Sequence, residues 1–260
     1  MNESPLVSVI VTTYNREELL LKTIKSIQKQ TLRNFELIVV DNYSDYPFLE
    51  NINSLSDDRI RAFQNLNDGV IAINRNFGLN KARGKFVAFC DDDDYWEADK
   101  LERQINAVEK SEKDKVIVYT DARCFDENHD YIQQNKQITG LKNLVSEANI
   151  FFSSILVTFP QAIRFAEGKE YFAIEDYKFS LDLHYHGYTF IHVPSPLINY
   201  RLHISAASQG NSVVSNFRRI FILTYLLLKY ENKKENIALF GKHIFILSAK
   251  IMAKLILRKD

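Results

Sequence analysis

Strand-length apolar runs alternate with helical patterns along the first half of this chain, and no other feature of the sequence constrains the fold as strongly. Strands are predicted at Leu6–Thr13, Phe35–Asp41, Arg59–Gln64, Lys85–Cys90 and Val116–Thr120. Helices are predicted between them at Glu17–Gln30, Ile71–Arg83 and Leu101–Lys110. Most of the strands are nearly continuous in apolar residues, which is typical of strands that are buried on both faces. The pattern predicts an α/β fold with a mostly parallel sheet and helices on both faces.

The second half of the chain is less regular and ends in strongly apolar helical segments. A strand is predicted at Phe151–Phe159 and a helix at Glu175–His186, and the polar stretch Ser205–Ser215 is typical of a linker. Two helices are predicted after it, at about 217–230 and 236–257. We therefore expect a main domain over residues 1–204, divided near residue 120, and a linker with C-terminal helices over residues 205–260.

Composition indicates an ordinary globular protein, with 46% hydrophobic and 25% charged residues. Cys90 and Cys124 are too few for a disulfide framework and are expected to act as small hydrophobic residues. The first residues do not resemble a secretory signal, and no stretch approaches the ~20 apolar residues of a membrane-spanning helix. These features predict a cytoplasmic location.

Polar side chains follow three of the predicted strands at the points where those strands end. They are found in Thr12-Thr13-Tyr14-Asn15, in Asp41-Asn42 and in Asp91-Asp92-Asp93-Asp94. Because ligands of an open α/β sheet bind outside the carboxyl ends of its strands, these residues are expected to converge on one binding edge. Each of them alone is equally typical of a turn or a helix cap.

The four consecutive aspartates are harder to explain as caps. They directly follow the buried-type strand KFVAFC, and a helix beginning at Tyr95 would need one or two of them at most. Adjacent carboxylates repel one another, and a hard divalent cation such as Mg²⁺ or Mn²⁺ prefers oxygen ligands that it shares with substrate phosphates. The run therefore predicts a metal site.

Five motifs in order resemble glycosyltransferase family 2, over about Val7 to Ser208. They are VSVIVTTYNR, FELIVVDNYS, FVAFCDDDDYW, AIEDYKFSLDL and NYRLHISAAS. The resemblance implies a GT-A fold and an inverting, metal-dependent transfer of a sugar from a nucleotide-sugar, of UDP type, to an acceptor hydroxyl. It also implies that the nucleotide-binding half is about 1–120 and the acceptor-binding half about 121–204.

The resemblance implies roles residue by residue. The nucleotide-sugar would be bound by Thr12, Tyr14, Asp41, Arg75, Asp91, Asp92 and His203. Asp93 and His203 would ligate Mn²⁺ or Mg²⁺, and Asp176 would be the base that deprotonates the acceptor. For Arg75 a solvated helix face is an equal expectation, and Trp96 is expected to pack beneath the aspartate loop.

The chain departs from the family pattern at two places. The family often has Asp-Asp-Gly-Ser where this chain has Asp41-Asn42-Tyr43-Ser44, and often an arginine in the helix after the base, where Asp182 stands. Two alternative functions are a catalytically inactive nucleotide-sugar-binding protein and a metal-dependent nucleotidyltransferase. The latter usually has a glycine-rich phosphate loop after its first strand, and TTYNREE contains no glycine.

The C-terminal segment is basic although the whole chain has a formal net charge of zero. Residues 215–260 carry ten Lys and Arg against three Asp and Glu. This predicts an interfacial helix pair on the inner face of the cell membrane, where a lipid-linked or other glycan acceptor is available. A homodimer interface and packing on the main domain are the alternative hypotheses. Synthesis of surface polysaccharide or lipopolysaccharide is the expected context, and no nucleic-acid partner is expected.

Overall fold

The protein, seen in a computed structural model, is described over residues 4–146, 150–202, 217, 220–224 and 234–256. The strands are β1 (Val7–Thr13), β2 (Phe35–Asp41), β3 (Ile60–Gln64), β4 (Phe86–Asp91), β5 (Tyr95–Trp96), β6 (Val116–Phe125), β7 (Asp130–Gln133), β8 (Leu156–Thr158) and β9 (Thr189–Arg201). The helices are α1 (Glu17–Gln28), α2 (Phe48–Asn53), α3 (Ile71–Lys81), α4 (Lys100–Ser111), α5 (Leu141–Ser146), α6 (Glu175–Tyr185) and α7 (Lys234–Ile256).

The first four strands form a parallel sheet in the order β3-β2-β1-β4. Their bounds lie within two residues of those predicted from the apolar runs. Helices connect them because a parallel pair needs a crossover connection, usually an α-helix. This half confirms the α/β prediction.

The rest of the sheet is mixed, where the sequence predicted a mostly parallel one. It continues as β8-β6-β9-β5, with β7 paired to β6, and only the β6–β9 pair is parallel. Residues 126–129 are too few for a crossover helix, so β6 turns back directly into β7 as a hairpin. Instead of the predicted strand at Phe151–Phe159, the chain forms a 3₁₀ turn at Phe152–Ser154 and the short strand β8.

Two hydrophobic cores lie on opposite faces of the sheet because successive strand residues point to opposite sides. In β2, Leu37 and Val39 join the core that α1 and α4 cover, while Ile38 and Val40 join the core on the side of α3 and α6. Both faces are therefore covered, as the sequence predicted.

The helix α7 packs on the second of these cores. Phe240 and Ile251 of α7 are buried, as are Ile222 and Leu223 of the helical residues 220–224. This supports the alternative in which the apolar C-terminal helices cover the main domain. No helix of the described residues is both long enough and apolar enough to cross a membrane.

Candidate active site

The carboxyl ends of β1, β2 and β4 meet at one edge of the sheet, as the sequence predicted. Strand register places Thr12 beside Asp91 and Thr13 beside Asp41. An open cavity of about 450 Å³ lies at this edge. It is lined by Thr12, Thr13, Tyr14, Arg16, Asn42, Asn67, Gly69, Ile71, Asp92 and Phe172.

Three of the predicted nucleotide-sugar residues line this cavity: Thr12, Tyr14 and Asp92. Tyr14 is 52% exposed, so its ring is accessible for stacking. His203, predicted as both a donor-binding and a metal-ligating residue, lies outside the described residues, as does the linker Ser205–Ser215.

Asp41 does not line the cavity and instead holds a turn. It is fully buried, and its Oδ2 accepts hydrogen bonds from the Ser44 N–H at 2.9 Å and from Gln64 Nε2 at 3.1 Å. The Ser44 hydroxyl donates to its other oxygen. The turn brings Asn42 to the cavity wall, and it leaves Tyr43 56% exposed with a φ of 58°.

Arg16, which the sequence reasoning gave no role, compensates the charge of the aspartate run. Its Nη1 donates to Asp92 Oδ1 at 3.0 Å and to Asp93 Oδ2 at 2.6 Å, and the Thr13 hydroxyl donates to Asp92 Oδ2 at 2.7 Å. Burial still raises the pKa of Asp92 to about 6, with Asp93 adding to the rise. The position of Arg16 in the polar segment that follows β1 was the only sequence signal for this role.

Asp94 has a structural role that separates it from its three neighbours. It is fully buried, and it accepts hydrogen bonds from the Ser153 hydroxyl and from the Arg201 N–H at 3.0 Å. Burial raises its pKa well above the ordinary value, and the nearby Asp91 carboxylate raises it further. Asp94 therefore ties the end of β4 to β9 and to the 3₁₀ turn.

No helix begins at Tyr95, and the helix predicted at Leu101–Lys110 is confirmed by α4. Tyr95 and Trp96 form β5, which pairs with β9, and the next helix begins at Lys100. Trp96 is buried, and its Nε1 donates to the Ser153 carbonyl at 3.0 Å. Its predicted place beneath the aspartate loop is confirmed.

The aspartate run carries the oxygen ligands that a hard cation prefers. The guanidinium of Arg16 already supplies a positive charge between Asp92 and Asp93. Among the described residues, no group of three or more His, Cys, Asp or Glu side chains is arranged to hold a metal ion. Mg²⁺ is commonly bound through one or two carboxylates together with substrate phosphates. The donor chemistry thus fits a cation that is held jointly with the substrate.

Arg75 is buried between the aspartate run and α6, so the expectation of a solvated helix face is wrong. Its Nη2 donates to Asp91 Oδ1 at 3.1 Å and its Nη1 to Glu175 Oε1 at 2.9 Å. Its guanidinium also lies 4.1 Å from the ring centroid of Phe152. Only 5% of Arg75 is exposed, and its pair with Glu175 is buried on both sides, while the Asp91 side chain is 33% exposed. The two pairs connect the end of β4 with the start of α6.

Asp176 lies in the first turn of α6, where a helix N-terminus favours a negative charge. Its Oδ1 accepts the Tyr177 N–H at 2.6 Å. Burial raises the pKa of Asp176 to about 6, and the neighbouring Glu175 carboxylate adds to the rise. Ala173, three residues earlier, has a φ of 62°, a conformation that is uncommon for a residue with a Cβ.

The family model described as glycosyl transferase family 2 matches residues 8–170, which is more than half of the chain. The chain belongs to this family. The match contains β1 to β4 and the aspartate run and ends shortly before Glu175, so the assignment of Asp176 rests on the motif AIEDYKF and on its position in the structure.

Relatives of this family 2 chain include named glycosyltransferases. It is 33% identical over 144 residues to the Escherichia coli UDP-Glc:alpha-D-GlcNAc-diphosphoundecaprenol beta-1,3-glucosyltransferase WfaP, covering 55% of this chain and 53% of that protein. It is 29% identical over 223 residues to the putative glycosyltransferase EpsH of Bacillus subtilis, covering 80% of this chain and 64% of the relative. The chain thus spans about half to two thirds of the length of these relatives.

Solved structures show the same fold. The S. aureus TarS 1–349 complex with UDP-GlcNAc superimposes with a TM-score of 0.72 at 17% identity, covering 95% of this chain and 72% of that one. The mannosyltransferase PcManGT of Pyrobaculum calidifontis, in complex with GDP-Man and Mn²⁺, gives a TM-score of 0.64 at 15% identity, covering 97% and 75%. At these identities the likeness establishes the GT-A architecture and nothing finer.

Proposed function

We propose that this chain is an inverting, metal-dependent glycosyltransferase that moves a sugar from a UDP-sugar to an acceptor hydroxyl. The observation that carries the proposal is the convergence of the aspartate run and the Glu175-Asp176 pair on one sheet edge, where Arg75 bridges Asp91 and Glu175 beside an open cavity. A nucleotidyltransferase finds no support from the family that the chain belongs to.

On the acceptor side, Asp176 is the proposed base. A single base that takes the proton from the acceptor hydroxyl supports one displacement at the anomeric carbon, with inversion of configuration. A pKa of about 6 leaves Asp176 mostly ionised at neutral pH and closer to neutrality than an ordinary aspartate, which suits general-base work. The ion pairs of Arg75 with Asp91 and Glu175 support a fixed position for α6 beside the donor.

On the donor side, Thr12 and Tyr14 are the proposed contacts of the nucleoside, with Asp41 supporting the turn that carries Asn42. Asp91 and Asp92 would lie along the ribose and the phosphates, and Asp93 with His203 would hold Mn²⁺ or Mg²⁺. When bound, the cation would supply positive charge to the diphosphate leaving group. Arg16 can move into solvent because 47% of its side chain is exposed, and the incoming cation would then replace its charge beside the buried Asp92 and Asp93.

The acceptor is proposed to be a lipid-linked sugar in surface-polysaccharide synthesis. The names of relatives such as WfaP, a glucosyltransferase acting on a diphosphoundecaprenol-linked sugar, support this context. A nucleotide-sugar-binding protein without activity would keep the same cavity, so a measured transfer of the sugar distinguishes the two functions.

The proposal is tested by titrating UDP-, GDP- and dTDP-sugars into the protein with Mn²⁺ and, separately, with EDTA. Binding of a UDP-sugar that weakens at least about tenfold in EDTA, and equally in Asp93→Ala, is the expected result. Equal affinity with and without metal would refute the metal role. NMR of the product formed from the bound donor and a lipid-linked sugar then gives the anomeric configuration, and retention would refute the single displacement.

The described part of α7 also supports attachment to a surface. Phe245 is 74% exposed, on a helix whose other side packs on the core through Phe240. We expect an anionic lipid surface to cover this face, because residues 215–260 carry ten Lys and Arg against three Asp and Glu, and a second copy of the chain is the alternative. Co-sedimentation of the wild type and Phe245→Ser with anionic and neutral vesicles separates them. Binding of neither vesicle by a dimeric wild type would favour the dimer.

A further inference from the structure

Arg201, at the end of β9, has a side chain with no acidic partner in the part of the chain that the structure describes. Its Nη2 donates a hydrogen bond to the Tyr95 hydroxyl. Its guanidinium carbon lies 4.9 Å from the ring centroid of Phe125 and 5.6 Å from that of Tyr95. These contacts hold the guanidinium in place, but none of them neutralises its charge.

The other arginines of this region are compensated by carboxylates. Arg16 and Arg75 each share two of them, and Arg123 on the neighbouring strand β6 pairs with Asp130. A partly buried charge loses hydration, and proteins usually offset that loss with an ion pair. The unpaired guanidinium of Arg201 therefore indicates an anion that comes from outside the chain.

The Nη1 group of Arg201 is the part of the guanidinium that a ligand can reach. Nε is buried and has no hydrogen-bond partner, whereas Nη1 is not buried and makes no hydrogen bond to any residue that the structure describes. A guanidinium only donates hydrogen bonds, so its ligand must be an acceptor. Its planar arrangement of donors matches the oxygens of a phosphate or a carboxylate.

Arg201 lies beyond the aspartate run as seen from the donor cavity. Its backbone N–H donates to Asp94 Oδ1 at 3.0 Å, which fixes it beside the end of that run. In the sheet, β9 lies on the opposite side of β4 from β1 and β2, and Arg201 does not line the donor cavity. Tyr200 packs on the core that α1 and α4 cover, so the alternation of strand residues directs Arg201 to the other side, where α6 carries Asp176.

We propose that Arg201 Nη1 binds a phosphate oxygen of the acceptor, in the group that attaches the acceptor sugar to its lipid. The inference rests on the proposed function and adds the part of the acceptor that the chain recognises. The diphosphate of the donor is assigned to the aspartate run and its cation, so the guanidinium is available to a second phosphate. The helix α7, whose exposed face is proposed to contact lipid, packs on the same side of the sheet through Phe240.

The test measures the binding of geranyl diphosphate, a soluble prenyl diphosphate without a sugar, by calorimetry. Wild type and Arg201→Gln are first saturated with UDP, so that the donor site is filled, and both solutions contain the same concentration of Mn²⁺. We expect Arg201→Gln to bind geranyl diphosphate about tenfold more weakly or worse, because hydrogen bonds to charged groups are strong, with UDP affinity unchanged within twofold.

Equal binding of geranyl diphosphate by the two proteins, or no binding by wild type, would overturn the assignment of Arg201. Displacement of UDP by geranyl diphosphate, or a loss of UDP affinity in Arg201→Gln, would also overturn it, since the guanidinium would then belong to the donor site. In each of these cases, UDP binding by wild type leaves the proposed function standing. If wild type does not bind UDP, the proposed function itself fails.

Two further ligands keep the test independent of the folding of Arg201→Gln. Geraniol has the same chain without phosphate, and it should bind UDP-loaded wild type at least about tenfold more weakly than geranyl diphosphate. Equal affinities would overturn the phosphate contact. Dihexanoyl phosphatidylglycerol presents the phosphate of a bilayer headgroup. If its binding depends on Arg201 as strongly as that of geranyl diphosphate, the guanidinium serves membrane lipid and the acceptor contact is wrong.

The matched control is Arg123→Gln, which makes the same change at an arginine whose side chain is 54% exposed and paired with Asp130. It should leave the affinities for UDP and geranyl diphosphate unchanged. A loss as large as in Arg201→Gln would show a general effect of surface charge and would overturn the specific contact. Arg201→Lys keeps the charge but not the planar set of donors, so its loss should be smaller than that of Arg201→Gln.

Discussion

Two groups of carboxylates lie at the candidate site, buried except for Asp91, whose side chain is 33% exposed, and their charges are compensated in different ways. Asp92 and Asp93 share the guanidinium of Arg16, whose side chain is 47% exposed. Glu175 and Asp91 share that of Arg75, whose side chain is 6% exposed and lies against Phe152. The Arg16 side chain can move into solvent, whereas the Arg75 side chain is enclosed and cannot.

The difference separates an exchangeable region, formed by Arg16 with Asp92 and Asp93, from a fixed region, formed by Arg75 with Asp91 and Glu175. A site that receives a charged diphosphate and a cation benefits from a resident cation that can move into solvent, because the incoming cation then replaces its charge beside the buried carboxylates. A base benefits from a scaffold that does not move, because its distance to the acceptor determines whether the proton can be transferred. The predictions below test whether these two regions differ as the contacts indicate.

The largest expected effect is on stability at the fixed region. Arg75→Met removes the shared cation and leaves Glu175 and Asp91 without their ion-pair partner, which should lower the free energy of unfolding by about 3 kcal/mol or more. Urea denaturation followed by circular dichroism measures it. A loss below about 1 kcal/mol would show that the ion pairs of Arg75 are not a scaffold.

The next effect is on transfer. Asp176→Asn should keep UDP affinity and lose about 10²-fold or more of the transfer rate, because the amide cannot take the proton of the acceptor. Burial, with Glu175 alongside, raises the pKa of Asp176 to about 6, and only the ionised form acts as base. The wild-type rate should therefore rise with pH through about 6 and level off above it. A variant with near-normal transfer, or the same pH dependence in the asparagine variant, would assign the base elsewhere.

The smallest effect is expected at the exchangeable region. Arg16→Met makes the same substitution as Arg75→Met at a half-exposed arginine and should lower the free energy of unfolding by less than Arg75→Met does, because water or a cation can take the place of Arg16. The same urea titration compares the two variants directly. A loss as large as that of Arg75→Met would mean that both arginines are fixed in their ion pairs, and the two regions would then not differ.

Much of the fold could be predicted because burial on both faces leaves a continuous apolar run in the sequence. The strands β1 to β4 and the helices α3, α4 and α6 follow such local patterns closely. The strand β9 was missed because Pro194 and Pro196 argue against a strand. The structure accommodates them where the register between β6 and β9 shifts, around Thr120 to Ala122. A bulge of this kind depends on a partner strand that no local pattern indicates.

The sequence by itself determined the family, the parallel half of the sheet and the edge at which the polar residues meet, since strand direction and polar strand ends are local properties. Only the tertiary structure decided what each charge does. It placed Asp94 in the structural contacts of β9 and Asp92 and Asp93 beside Arg16, although the four aspartates are identical letters in one run. It also buried Arg75 against Glu175, a hundred residues away along the chain. Burial and ion pairing depend on which distant segments fold over a side chain, and local sequence carries no record of those partners.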